Sequence, residues 1–134
     1  GAVEAIRLAA EEGGITASEH LYINAHGTST PMNDKTETLA IKKAFGEAAY
    51  TTHISSTKSM TGHMLGATGA TEAAACVLAL QKQMIPPTIN YQEKDPECDL
   101  DYTPNTAVSA EISAALSSSL GFGGHNAVIA LKKI

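Results

Sequence analysis

The chain has 134 residues, 43% of them hydrophobic and 17% charged, with no Trp, four Tyr and two Phe. That length is close to the roughly 150 residues of one ordinary domain, so one compact unit over residues 1-134 is expected, its core built from Ala, Ile, Leu, Val and Met. A formal net charge of -5 excludes a phosphate-binding surface of clustered Lys and Arg, and no nucleic acid partner is expected.

Residues 2 to 12 place Val3, Ile6 and Ala10 at helical spacing and run into Gly13-Gly14, which lets a helix end with positive φ. Leu21-Tyr22-Ile23-Asn24-Ala25 is short and rich in β-formers, and it stops at the polar turn His26-Gly27-Thr28-Ser29-Thr30-Pro31. Asn33 or Asp34 is the expected cap of the next helix, whose apolar positions Ile41, Ala44, Phe45 and Ala48 repeat at helical spacing until Gly46 weakens it. A second strand, His53 to Ser56, empties into Thr57-Lys58-Ser59-Met60-Thr61-Gly62-His63.

From Gly66 to about Gln83, Ala67, Ala70, Ala73, Ala74, Ala75 and Ala79 give a small-sided helix expected to bury nearly all round and to be ended by Pro86-Pro87. Thr88 to Thr106 reads as a long irregular connection. Ile112 to Ser119 and Ala127 to Leu131 read as two hairpin strands around Leu120-Gly121-Phe122-Gly123-Gly124. This order predicts an α/β unit, a mixed sheet with layered helices, its parallel strands first and an antiparallel pair last.

No apolar run reaches the ~18 residues of a membrane span, because Ala73 to Leu80 is broken at Gln81 and Lys82, so no membrane partner is expected. Cys76 and Cys98 have no CxxC spacing, and a chain opening Gly1-Ala2-Val3-Glu4 shows no charged-then-apolar leader, which together predict a cytoplasmic protein. Neither cysteine stands at ligand spacing to His26 or His63, so no zinc site is expected.

The loops at the carboxyl ends of parallel strands gather at one edge, where α/β proteins bind ligands, so His26 and His63 are expected to converge. Gly62, Gly66 and Gly69 lead into the alanine-rich helix, whose free amides favour negative charge and fit an anionic reaction centre. The same glycines match neither G-x-x-x-x-G-K-[ST] nor G-x-G-x-x-G. Lys58 is expected to pair with Glu72, one turn into that helix. His20, His53 and His125 lie at strand or turn edges and read as solvated.

Three blocks carry a resemblance: Asn24-Ala25-His26-Gly27-Thr28-Ser29-Thr30-Pro31, Lys58-Ser59-Met60-Thr61-Gly62-His63-Met64-Leu65-Gly66-Ala67 and Gly121-Phe122-Gly123-Gly124. Together with Asn33-Asp34-Lys35 and Pro86-Pro87-Thr88-Ile89-Asn90, they resemble the beta-ketoacyl-acyl carrier protein synthases, condensing enzymes of the thiolase superfamily, and most of all the synthase II group of bacterial fatty-acid elongation. The likeness runs through essentially all of the chain and covers only the C-terminal half of such enzymes. It implies the C-terminal half of a thiolase-like fold, an N-terminal half that supplies the nucleophilic cysteine, an acyl carrier protein partner and a homodimer in the full-length enzyme.

The implied reaction is a decarboxylative condensation of malonyl-carrier protein with an acyl thioester, an acyltransferase activity expected to be absent from the isolated chain. By position, His26 and His63 match the family histidines that hold the malonyl thioester oxygen, and Lys58 and Glu72 match its paired lysine and glutamate. Thr28 and Thr30 match hydroxyls that contact the phosphopantetheine arm, which arrives on the carrier protein. Phe122 matches the gating aromatic whose backbone N-H contributes to an oxyanion hole. The resemblance implies no resident organic cofactor, and it would assemble a monovalent cation site from Asn24, Glu72, Ser117 and Ser118. Ser118 stands where the family usually has asparagine, and Leu120 where many members have phenylalanine. A polyketide ketosynthase and a non-catalytic partner of the chain-length-factor type would share the fold, but the latter need not keep His26, His63 and Lys58.

Overall fold

The computed structural model describes residues 1-18 and 20-134. In chain order the elements are α1 (Ala2–Glu12), β1 (Leu21–Asn24), α2 (Pro31–Phe45), β2 (His53–Ser55), α3 (Lys58–Thr61), α4 (Thr68–Lys82), β3 (Met84–Ile85), β4 (Val108–Ser109), β5 (Ala114–Leu120) and β6 (Asn126–Lys132), with short 3-10 turns at Gly46–Tyr50, Leu65–Ala67 and Phe122–Gly124. The main sheet has the order β2-β1-β5-β6. β1 lies parallel to both β2 and β5, and β6 runs antiparallel to β5, as expected from the element order.

Alternation along the strands divides the core into two layers. Leu21, Ile23, Ala114 and Leu116 face α1 and α2, where Ile6, Ala40 and Ile41 meet them. Tyr22 and Ala115 face α4 and pack with Cys76, Ala79 and Leu80. β1 and β5 run through Leu21, Tyr22 and Ile23 and through Ala114, Ala115 and Leu116 before reaching Asn24 and Ser117, as a ladder covered on both faces requires.

Three local expectations change. α2 starts earlier than predicted, with Thr30 as its N-cap and Pro31 in the first turn, a position where proline loses no helical hydrogen bond. Asp34 instead turns its carboxylate back to the Ser29 N-H at 3.2 Å. α4 ends at the expected Gln83, but the stop is that residue, held left-handed at φ 53, and not the prolines beyond it. It is buried on one face only, through Thr68, Glu72, Cys76, Ala79 and Leu80, while Val77 and Leu78 are exposed.

The long connection is irregular but not loose. Met84 and Ile85 pair with Ser109 and Val108 in a two-stranded ribbon. Thr88 Oγ1 accepts the Ser56 N-H at 3.0 Å and donates to the Tyr102 carbonyl at 2.6 Å, which ties the connection to the loop after β2. The Gln83 side chain closes the other end: its amide donates to Ile112 O and accepts from Ile112 N-H, both at 2.9 Å. Replacing Gln83 by Ala strands both backbone groups beside the buried Ile112. The expected loss is about 1–3 kcal/mol, read as a lower urea midpoint with an unchanged m-value.

Candidate active site

β1 and β2 end level with each other, Asn24 opposite Ser55, and Ala25 N-H still reaches Ser55 O at 2.9 Å. The two loops that follow therefore start side by side. His26 comes two residues past the end of β1, and His63 follows the one-turn α3 after Gly62 turns the chain with φ 73. Their ring centroids are 5.6 Å apart and the planes meet at 86°, so the expected convergence is present. His26 is buried, at 9% exposure, and His63 is open to solvent on the same edge.

Local backbone geometry selects the tautomer of His63. Leu65 is held at φ 51, a left-handed conformation that is uncommon for a bulky residue. From there its N-H donates to His63 Nδ1 at 3.1 Å. An Nδ1 that accepts a hydrogen bond carries no proton, so the neutral ring has its N-H at Nε2. In His26 the Nδ1 atom is buried with no hydrogen-bond partner among the described residues. A proton on it would be a stranded donor, which again favours Nε2.

Lys58 opens α3 and reaches Glu72 on α4, Nζ to Oε1 at 2.5 Å, with 4% and 1% of the side chains exposed. The predicted ion pair is thus formed inside the protein. Burial pushes the Glu72 carboxyl up, against the opposing pull of Lys58. Burial, then the charge of Lys58 and the neighbouring His63, push the His26 imidazole down to about 4. His26 is accordingly a neutral ring at neutral pH.

A cavity of about 670 Å³ opens beside these groups, lined among others by Lys58, His63, Thr28, Thr30, Ile89 and Tyr102. Thr28 and Thr30 line it with their hydroxyls 3.1 Å apart. Phe122 lies on the turn between β5 and β6 and is fully exposed, at 100%. His20 and His125 are exposed and His53 half-buried; His20 Nδ1 contacts the Glu111 carbonyl at 2.8 Å. Cys76 is buried and its thiol pushed up to about 12 by that burial, and Cys98 is also buried with a raised pKa.

Glu37 was not predicted. It lies on the buried face of α2 at 3% exposure, where its two oxygens accept the N-H groups of His26 and Gly27, each at 2.8 Å. The only sequence signal is a carboxylate one turn before Ile41, on a face that otherwise packs.

Asn24 and Ser117 are opposite each other in the β1–β5 register. Alternation places Ser117 on the α4 face, where Ser119 approaches Gly69 of α4, and Glu72 lies across from them with Oε2 buried and without a hydrogen-bond partner among the described residues. The same alternation places the Ser118 side chain on the α1 and α2 face with Leu116. Three side chains of the expected cation set thus share a layer, and Ser118 can join them only through its backbone. No group of three or more His, Cys, Asp or Glu side chains suited to a metal occurs among the described residues.

Residues 1–92 match the beta-ketoacyl synthase C-terminal domain. The chain belongs to that family. It is 54% identical to 3-oxoacyl-acyl-carrier-protein synthase 2 of Synechocystis sp. over 133 residues, covering 99% of this chain and 32% of the relative. Among solved structures, the ketosynthase complex of a type II PKS acyl-carrier protein, bound to the hexaketide, superposes with TM-score 0.94 at 46% identity, covering 99% of this chain and 33% of the other. The ishigamide ketosynthase/chain length factor gives 0.94 at 43% identity, covering 100% and 33%. The chain therefore corresponds to the C-terminal part of such a synthase, in a thiolase-like α/β fold, and spans about a third of the length of the curated relatives it matches. No helix among the described residues is long and apolar enough to cross a membrane.

Two outcomes follow from the buried charges. Glu72→Gln leaves Lys58 buried without its counter-ion and should cost about 3–5 kcal/mol in urea unfolding, while replacing both by apolar residues of similar volume should recover most of that loss. His26 has a folded pKa near 4 against an ordinary 6.5, so the unfolded chain binds the extra proton between those values. Its contribution to stability is then complete above about pH 6.5 and lost as pH falls toward 4, and an NMR titration should show the ring neutral down to that lower value.

Proposed function

We propose that this chain forms the malonyl-activating part of a decarboxylative condensing enzyme of fatty-acid elongation, a 3-oxoacyl-acyl-carrier-protein synthase 2. The observation that carries the reading is the convergence of two imidazoles, His26 neutral and His63 with its Nδ1 occupied by the Leu65 N-H. Two Nε2-H donors aimed at one thioester oxygen stabilise the charge that forms there. The bond from the malonyl α-carbon to its carboxylate breaks, carbon dioxide leaves, and the electron pair passes into the enolate held by His26 and His63. The α-carbon then attacks the acyl thioester carbon, whose sulfur departs.

The cysteine holding the acyl group lies outside this chain, because Cys76 and Cys98 are buried thiols with raised pKa. Thr28 and Thr30, which line the cavity, would contact the phosphopantetheine arm of an acyl carrier protein. Phe122, flanked by Gly121 and Gly123, would swing over the site and lend its N-H to the acyl oxygen. Lys58 and Glu72 hold α3 and α4 together behind the histidines. A monovalent cation, where bound, would be held by Glu72 Oε2, Asn24, Ser117 and the Ser118 carbonyl, and would supply positive charge that balances Glu72.

The remaining portion of the enzyme would cover the open face of α4 and β6, where Val77, Leu78 and Ile129 are 42%, 54% and 45% exposed. The full-length protein would be a cytoplasmic homodimer. A polyketide ketosynthase is the second reading, supported by the 46% identical ketosynthase complex and weighed against 54% identity to the fatty-acid relative. Retention of His26, His63 and Lys58 speaks against a non-catalytic chain-length partner.

In the complete protein, His63→Ala should lower malonyl-carrier protein decarboxylation by on the order of 10²-fold or more, with a smaller effect on acyl transfer to the cysteine. A His63→Ala enzyme decarboxylating at the normal rate would refute the assignment. The isolated chain should elongate no acyl-carrier protein, because it has no activated thiol.

A further inference from the structure

Past the strand ends, little joins the two loops that carry the histidines. The β1–β2 ladder closes with the Ala25 N-H on Ser55 O at 2.9 Å. Among the described residues, a single hydrogen bond then links residues 26–31 to residues 56–63: Ser56 Oγ donates to the Gly27 carbonyl at 2.8 Å. Gly27 directly follows His26, and Ser56 begins the stretch that leads to His63.

Neither end of this bond is slack. Ser56 is 6% exposed, and each of its three polar groups is held by a different segment. Its N-H donates to Thr88 Oγ1 at 3.0 Å, while its carbonyl accepts the Ser59 N-H at 3.2 Å and the Ser59 hydroxyl at 2.8 Å. Ser59 Oγ in turn accepts the Ile89 N-H at 2.9 Å. From there α3 carries the chain to Gly62, whose N-H returns to Lys58 O at 2.9 Å, and His63 comes next. On the other side, a Cβ built on Gly27 would lie 2.6 Å from Ser56 Cβ and 2.8 Å from Ser56 Oγ, and Gly27 has φ 36. A side chain at 27 is excluded by space and by backbone conformation. Serine meets the same limit at 56, placing a donor on the carbonyl with one atom beyond Cβ.

We propose that Ser56 is a positioning residue, which acts through the Gly27 carbonyl and α3 to set the separation of the His26 and His63 imidazoles. The inference rests on the malonyl-decarboxylating reading for its effect on rate, but not for its effect on the rings. Ser56 also lines the cavity, so direct contact with substrate is the competing role. Kinetics separate the two, because a lost substrate contact raises KM at constant kcat, whereas a misaimed oxyanion donor lowers kcat.

The test uses the complete protein and two variants. Ser56→Ala deletes the donor and leaves the backbone bonds of residue 56 in place. Ser56→Cys keeps a weak donor on a longer bond. Decarboxylation of malonyl-carrier protein, acyl transfer to the cysteine, and the ring-to-ring NMR contact between His26 and His63 are measured for each.

Ser56→Ala should lower the decarboxylation kcat by about tenfold, the scale of effect expected when a reacting group is displaced by a fraction of an ångström. Its KM and acyl transfer should stay within about twofold, the ring contact should weaken, and Ser56→Cys should fall between Ser56→Ala and the wild type. An unchanged kcat in Ser56→Ala, a raised KM at constant kcat, or equal losses in both half-reactions with the ring contact intact would overturn the role. Should Ser56→Ala fail to fold, Ser56→Cys decides by the same readings. A wild-type protein that does not decarboxylate malonyl-carrier protein would refute the proposed function instead, and the ring contact in the variants would still decide the positioning role.

Discussion

The parallel pairing of β1 with β2, in the register that sets Asn24 against Ser55, is the constraint on which the site depends. Parallel neighbours lie about 4.8 Å apart, and when they end at the same level the loops leaving them are forced together. A slip of one residue would send Leu21 and Ile23 to the α4 face and carry His26 away from its neighbour. The apolar runs of the strands thus specify the position of the polar residues beyond them. Core packing and the geometry of the candidate site are one requirement, because the side chains that set the register are the ones that bury α1 and α2.

Beyond the strand ends, the protein stores an unusual amount of polarity in its interior. Asn24 is fully buried and hydrogen-bonds Thr57 at 3.1 Å, next to the Lys58 and Glu72 pair. Glu37 lies on the other side of the sheet with its two amide donors. Such groups stabilise little on balance, since desolvation offsets much of what pairing returns. What they give is a single allowed arrangement, because each would be left unsatisfied in any other. Cys76 and Ala79, on the same buried face of α4 as Glu72, add little bulk there, so a helix carrying a buried carboxylate can still pack on the sheet.

The parts of this architecture that were legible in the sequence are those with local causes. α1 and its glycine stop, the two strands that end before histidines, and the final hairpin all follow from periodicity and turn residues spanning a few positions. The Lys58 and Glu72 pair could also be read, because a lysine at a strand exit and a glutamate one turn into a small-sided helix have few other places to go. The cap of α2 was misjudged because Thr30-Pro31 satisfies the helix start three residues earlier, and Asp34 then folds back on the turn. Glu37 was invisible for a different reason. Its partners are backbone amides ten and eleven residues away, and backbone donors leave no trace in a sequence.

The predicted all-round burial of α4 failed in an informative way. Alanine spacing permits close contact on every side, but this chain supplies a surface on only one, so Val77 and Leu78 remain open, as does Ile129 of β6. Exposure is distributed in the same sense across the site. Lys58, Glu72, Asn24 and His26 are buried and held from several directions, whereas His63 is open, Leu65 is 77% exposed and Phe122 fully so. The supporting groups are thus buried within the chain, and the groups that would meet a substrate face outward on one edge. A reaction needing a dry, preorganised oxyanion site requires that edge to be closed by another surface, since water competing for the imidazole N-H groups weakens any charge they are asked to hold. The physical division within the chain is between buried groups that set direction and an open edge, and α4 takes part in both, with Glu72 on its buried side and Val77 and Leu78 on its exposed one.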